Sequence, residues 1–175
     1  MDRFGLALLL VLAGAAPVAA AELPPRKAGL WEMKTTVPSG RTLSMQQCID
    51  AKTDEAMQAN STANAQRDCS KREVKKSGNT ITIDSVCTIA GKPRTAHTLI
   101  AGSFDSAYTM TTTSENEGAP ARTLTIEAKW LGPCAADQKP GDTVMPNGTK
   151  MNVLDMKKGT AAPAPAAPGA PPPQH

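Results

Sequence analysis

A mainly β, single-domain fold is predicted by three observations. Apolar and polar residues alternate with period two through most of the chain, turn-forming clusters separate the alternating stretches, and one stretch alone has helical character. Short links between successive strands favour antiparallel neighbours, and the alternating polar residues favour a sheet with one wet face. The expected architecture is an antiparallel meander of about seven strands, a curved sheet or partly closed barrel, with a short helical insertion.

The first strand, "GLWEMKTTV", places Trp31, Met33 and Val37 inward, and "TLSMQ" adds Leu43 and Met45. Alternation stops between Asp50 and Asn64, where Thr53 reads as an N-cap followed by Asp54 and Glu55 in the first turn of a helix. Residues 69–76 form the third strand. "NTITIDSVCTI" then turns Ile81, Ile83, Cys87 and Ile89 inward, and the run from Pro93 to Ser103 is extended without a decisive inward face. "AYTMTTT" contributes Tyr108 and Met110, and "TLTIEAKW" contributes Leu124, Ile126, Ala128 and Trp130. Turns are expected at Pro38-Ser39-Gly40, Ser77-Gly78-Asn79, Gly91-Lys92-Pro93, Gly102 to Asp105, and Glu117-Gly118-Ala119-Pro120. Beyond Cys134, Pro140-Gly141 and Asn147-Gly148 mark further turns, with one more short strand near residues 151–154.

The two ends read differently. Residues 1–21 have the form of a secretory signal: Arg3, an apolar run from Leu6 to Ala16 too short to span a bilayer, and Ala19-Ala20-Ala21 before the cleavage point. This predicts a periplasmic or secreted protein. No cysteine stands at the cleavage point to take a lipid, and no later segment is apolar enough to be transmembrane. Residues 22–158 form the β-rich domain, and 159–175, "GTAAPAPAAPGAPPPQH", are expected to be a disordered tail because proline and small side chains cannot bury enough surface. The net charge of +3 is too mild to define a partner. Nucleic acid is not expected, since Trp31, Phe104, Tyr108 and Trp130 are not interleaved with basic residues, and "KREVKK" at 71–76 reads as a solvated strand face.

Four cysteines, Cys48, Cys69, Cys87 and Cys134, lack C-x-x-C spacing and histidine companions, which argues against a metal site. In an exported chain an even number of cysteines reads as a disulfide framework, for which three connectivities are possible. Gly78 lies midway between Cys69 and Cys87, so a three-residue hairpin loop sets those two opposite. That register also pairs Val74 with Thr82 instead of Ile81 or Ile83, and a β-bulge is needed to reconcile the two demands. The hairpin favours Cys69 with Cys87, leaving Cys48 with Cys134.

The segments "GLWEMKTT", "CSKREV", "DSVC" and "KWLGPC…PGD" resemble the secreted bacterial family described as domain of unknown function 3617, over most of residues 23–158. The four cysteines stand at that family's usual places. The resemblance implies an envelope location and a β-rich fold, and it supplies no catalytic residue.

Candidate chemistry is sparse. His97 stands alone inside the domain, with no G-x-S-x-G, phosphate-binding glycine loop or H-E-x-x-H, and Asp54-Glu55 read as helix-start residues. No enzyme activity, metal or cofactor is expected. Trp31 and Trp130, inward on the first and last strands, and Tyr108 are the candidates for lining an apolar ligand cavity; core packing is the competing account. The leading expectation is a non-enzymatic periplasmic binding module for a small, largely apolar molecule. The alternative is a cell-envelope interaction or structural protein that meets a protein partner through a strand edge or its tail.

Overall fold

Nine antiparallel strands form one sheet in a computed structural model that describes residues 23–156. The stretches expected to be a signal, 1–21, and a tail, 159–175, lie outside the described residues. The strands are β1 (Gly29–Thr36), β2 (Thr42–Ile49), β3 (Cys69–Ser77), β4 (Thr80–Ile89), β5 (Lys92–Ser103), β6 (Ala107–Asn116), β7 (Arg122–Gly132), β8 (Asp142–Val144) and β9 (Lys150–Asn152). Helix α1 (Ala51–Asp68) joins β2 to β3, and α2 (Val153–Met156) follows β9.

The spatial order is β3-β4-β5-β6-β7-β1-β2-β8-β9. Strands β3 to β7 are a meander of short connections, as the turn signals demand. The chain's first strand then takes the position beside β7, so β1 has β2 on one side and β7 on the other. Helix α1 therefore carries the chain from β2 to the far edge, and it touches β2, β3 and β4. Its 18 residues give a length of about 27 Å, close to the roughly 29 Å that six strand spacings require. The sheet is open: β3 and β9 each have a strand on one side only.

Cross-strand registers fix which residues share a face. On the inner face Trp31 lies opposite Trp130 and Gln47, Met33 opposite Ala128 and Met45, Tyr108 opposite Ala128 and Gly102, and Ile100 opposite Met110 and Ile81. The inward side of β5, open from sequence, is thus Arg94, Ala96, Thr98, Ile100 and Gly102. Ile89 departs from expectation, being 47% exposed, because it is the last residue of β4 and pairs with Lys92 at the mouth of the turn to β5. The turn after it also shifts: Ile89 pairs with Lys92, so Ala90-Gly91 makes the turn and β5 begins at Lys92. Pro93 is accommodated at the second residue of that strand, near its end.

Ala90 and Gly91 have φ of 52° and 75°, the pair of left-handed positions that a two-residue type I′ hairpin requires. Ala90 is the one non-glycine with positive φ among the described residues. An alanine there carries a cost of about 1–2 kcal/mol that asparagine relieves in part. Ala90→Asn is expected to raise stability by about 0.5–1 kcal/mol, read as a higher denaturation midpoint with an unchanged slope.

The β3–β4 hairpin resolves the conflict between cysteine and apolar registers. Ser77 pairs with Thr80 around a two-residue turn in which Gly78 has φ of 58°, and Val74 pairs with Ile83. A bulge at Ser70 then inserts one residue, bringing Cys69 opposite Cys87. The disulfides are Cys69–Cys87 and Cys48–Cys134. The second spans a separation of 86 residues and ties β2 to the segment that leaves β7. Gly141 N–H then donates to the Cys48 carbonyl, and β8 pairs with β2. Removing this bridge as Cys48→Ala/Cys134→Ala should cost about 2–5 kcal/mol in chemical denaturation; a loss below about 1 kcal/mol would show that β8 and β9 hold the segment without it.

Helix α1 begins differently from the sequence expectation. Asp50, not Thr53, is the N-cap: its carboxylate accepts from Thr53 N–H at 2.8 Å, while Thr53 Oγ1 accepts from Asp50 N–H at 2.9 Å. This reciprocal capping box satisfies two donors that a helix start would otherwise leave unpaired. Hydrogen bonding to Thr53 N–H, the largest influence, holds the Asp50 carboxyl below its ordinary range. The helix continues past Asn64 to Asp68, where Cys69 begins β3. The expected strand at 151–154 is divided, with β9 ending at Asn152 and α2 starting at Val153.

Candidate functional site

The inner face is densest where β1, β2, β6 and β7 meet the first turns of α1. Trp31 has no exposed surface, and with Ile49 and Ala128 it forms a cluster against which Met33, Met57, Tyr108 and Trp130 pack. Trp31 Nε1 donates to the Lys27 carbonyl at 2.8 Å, so burial of the indole leaves no polar atom unpaired. Its ring lies 5.8 Å from that of Tyr108, which in turn stacks on Phe104 at 4.6 Å.

Two glycines make room for these rings. Gly29 has φ of 133°, and a side chain there would overlap the Gly132 carbonyl oxygen and come within 2.6 Å of Trp130 Nε1. Gly102, at φ of 123°, lies opposite Tyr108, and a side chain would meet its Cα at 2.7 Å. A bulge also separates Leu30, paired with Gly132, from Trp31, paired with Trp130. The extra residue, Leu131, is 44% exposed.

The structure brings together the three aromatic residues singled out in the sequence, in different environments. Trp31 is core, Tyr108 is half-buried beside it, and Trp130 is half-buried with the Lys27 ammonium 3.6 Å from its ring centroid. Trp130 Nε1 donates to the Ala28 carbonyl at 3.1 Å.

A charged pair lies against this aromatic cluster, and sequence reasoning missed it. Arg26 Nε donates to Asp54 Oδ1 at 2.8 Å, and Arg26 N–H donates to Asp54 Oδ2 at 2.9 Å. The two side chains are 10% and 1% exposed. Gln58 Nε2, one helical turn after Asp54, donates to Asp54 Oδ2 at 3.0 Å. Arg26 Nη1 donates to Gln47 Oε1 at 3.1 Å, and its Nη1 and Nη2 point at the sulfurs of Met33 and Met57 at 4.0 and 3.9 Å. Burial is the largest influence raising the Tyr108 hydroxyl above its ordinary range, with the neighbouring Arg26 cation opposing it. Asp54, read from sequence as a helix-start residue, is thus also the buried counter-ion of Arg26. A carboxylate in the first turn followed by a glutamine four residues later was the available signal.

Away from this cluster the inner face remains partly open. Leu43, Met45, Met110, Leu124 and Ile126 are only partly buried. Helix α1, "AKTDEAMQANSTANAQRD", brings a single apolar side chain larger than alanine, Met57. Its later turns carry small and polar residues, most of them exposed, so the helix adds little apolar cover.

His97 lies on the other face, where its Nδ1 is 2.7 Å from Asp84 Oδ1 and both side chains are exposed. Hydrogen bonding to His97 is the largest influence lowering the Asp84 carboxyl. Neighbouring cross-strand positions explain this pair, and no nucleophile is hydrogen-bonded to it among the described residues.

A family model described as "Protein of unknown function (DUF3617)" matches residues 26–134, more than half of the 175. The matched span opens at Arg26 and closes at Cys134, and it contains β1 to β7, α1 and both disulfides. No curated protein and no solved structure matches the chain.

Proposed function

Because the chain belongs to that family, whose description names no activity, function has to be read from geometry, and we propose that the protein is a non-enzymatic binding module for a small, largely apolar molecule. The observation that carries this reading is the mismatch between the inner face and its cover. Leu43, Met45, Met110, Leu124 and Ile126 are left partly exposed, and α1, which touches β2, β3 and β4, carries a single large apolar side chain, Met57. Side chains of this kind gain about 25 cal/mol for each Å² that a ligand removes from water. Methionines suit such a surface because their flexible thioethers adapt to irregular shapes.

We place this activity in the periplasm or outside the cell. The signal-like residues 1–21 and the pairing of all four cysteines support that location. Among the described residues no helix is long and apolar enough to cross a membrane, which is compatible with it.

Native mass spectrometry of protein purified from its own cell envelope tests the proposal. A bound mass released on denaturation, with saturable change of tryptophan emission when apolar compounds are returned, is the expected result. An empty protein with flat titrations would transfer the assignment to an interaction role. Edge strand β3, open on one side and nine residues long, is then the surface to examine, since an unpaired edge offers backbone groups to another chain.

A further inference from the structure

The polar end of the inner face narrows the class of ligand. Arg26 has five N–H donors. Nε is taken by Asp54, one Nη1 donor by Gln47, and the Tyr108 hydroxyl is within reach of the guanidinium. The two remaining directions end on thioether sulfurs, those of Met33 and Met57. Sulfur is a weak acceptor, so these are the donors that an arriving oxygen would improve. Asp54 offers no comparable opening, because Oδ1 accepts from Arg26 Nε and Oδ2 accepts from both Arg26 N–H and Gln58.

Charge decides what kind of oxygen can arrive. One guanidinium and one carboxylate already cancel in a place where the side chains are 10% and 1% exposed. A carboxylate or phosphate brought to Arg26 would leave a net negative charge beside Asp54, and an ammonium would face Arg26. Either would be a buried charge without a free counter-ion. An uncharged carbonyl accepts from the Nη groups without that penalty.

Resting on the reading of the inner face as an apolar binding surface, we infer that the ligand is a neutral, elongated molecule whose polar end is a ketone or ester carbonyl, accepting from Arg26 between Met33 and Met57. Its apolar body lies along the partly exposed floor formed by Met45, Met110 and Ile126.

Displacement of Nile red, an uncharged apolar dye, from delipidated protein tests this with four compounds of one chain length: 2-dodecanone, dodecanoate, dodecylamine and dodecane at pH 7.5. The ketone should displace the dye at about tenfold lower concentration than the other three, the equivalent of one hydrogen bond to a charged donor. Equal or tighter binding of dodecanoate would overturn the neutral-head assignment. Equal binding of dodecane would show that Arg26 is not contacted. In both of these cases dye uptake still supports an apolar binding face, whereas no uptake and no displacement by any compound removes that face and this inference together. Arg26→Lys, which lacks the Nη pair, should erase the tenfold advantage of the ketone; an advantage that survives in the folded variant would also overturn the assignment. The wild-type series stands without the variant.

Discussion

Asp54→Ala is expected to lower stability by about 3–5 kcal/mol, because it leaves the Arg26 guanidinium buried without its counter-ion. The reciprocal change, Arg26→Met, should cost a similar amount by stranding Asp54, which is 1% exposed. The two losses should not add. With both groups removed, as Arg26→Met/Asp54→Ala, no uncompensated charge remains, and the double variant should be more stable than the sum of the single changes requires, by at least about 1–2 kcal/mol. Chemical denaturation of the four proteins measures this directly. A cost below about 1 kcal/mol for each single change would mean that water reaches the pair and screens it as it does surface ion pairs.

The second large effect separates the two indoles. Trp31→Ala should cost about 3–5 kcal/mol, since the side chain is fully buried against Ile49 and Ala128 and its removal leaves a cavity. Trp130→Ala should cost roughly half as much, because Trp130 is half-buried, with the Lys27 ammonium lying over its ring. Denaturation midpoints decide the order. Equal losses would mean that the Lys27 contact closes Trp130 off as effectively as the core closes off Trp31.

Period-two alternation made most of the sheet legible because its strands are half-buried, with Trp31, Met33, Ile126 and Ala128 facing in and Glu32, Lys34, Glu127 and Lys129 facing out. Strand β8 escaped the same reasoning. It has three residues, of which Asp142 and Thr143 are polar and each 8% exposed, so burial there follows hydrogen bonding instead of hydrophobicity. Asp142 accepts from Lys139 N–H at 2.9 Å and from Asn152 at 2.8 Å, partners no local pattern announces. The Ser70 bulge was foreshadowed by the clash between the register that sets Cys69 opposite Cys87, and with it Val74 opposite Thr82, and an apolar register that matches Val74 to an isoleucine; the two-residue turn at Gly78-Asn79 made the apolar register, Val74 with Ile83, primary.

The candidate site was less legible than the fold. The aromatic residues could be nominated because they sit in alternating strands. Arg26 lies before β1 in no periodic element, and its partner Asp54 is 28 residues away. A charged residue outside a strand or helix reads as solvated until tertiary contact shows it buried. The N-cap was misread for a nearby reason: Asp50 and Thr53 satisfy one another, and sequence alone does not say which member stands outside the helix.

The two disulfides are nested, with Cys69–Cys87 inside the loop closed by Cys48–Cys134. On the proposed export route the chain emerges amino end first, so Cys48 meets Cys69 before its own partner has crossed the membrane. An oxidant that joins thiols in their order of appearance would therefore make a Cys48–Cys69 bond, which must be broken again by thiol–disulfide exchange. Maturation then depends on an isomerase as well as an oxidant, a requirement that a chain with consecutive pairs would escape. Cells retaining the oxidant and lacking the isomerase should accumulate Cys48–Cys69 species in non-reducing peptide maps, and native pairing at an undiminished yield would show that β3–β4 hairpin formation outruns oxidation of Cys48.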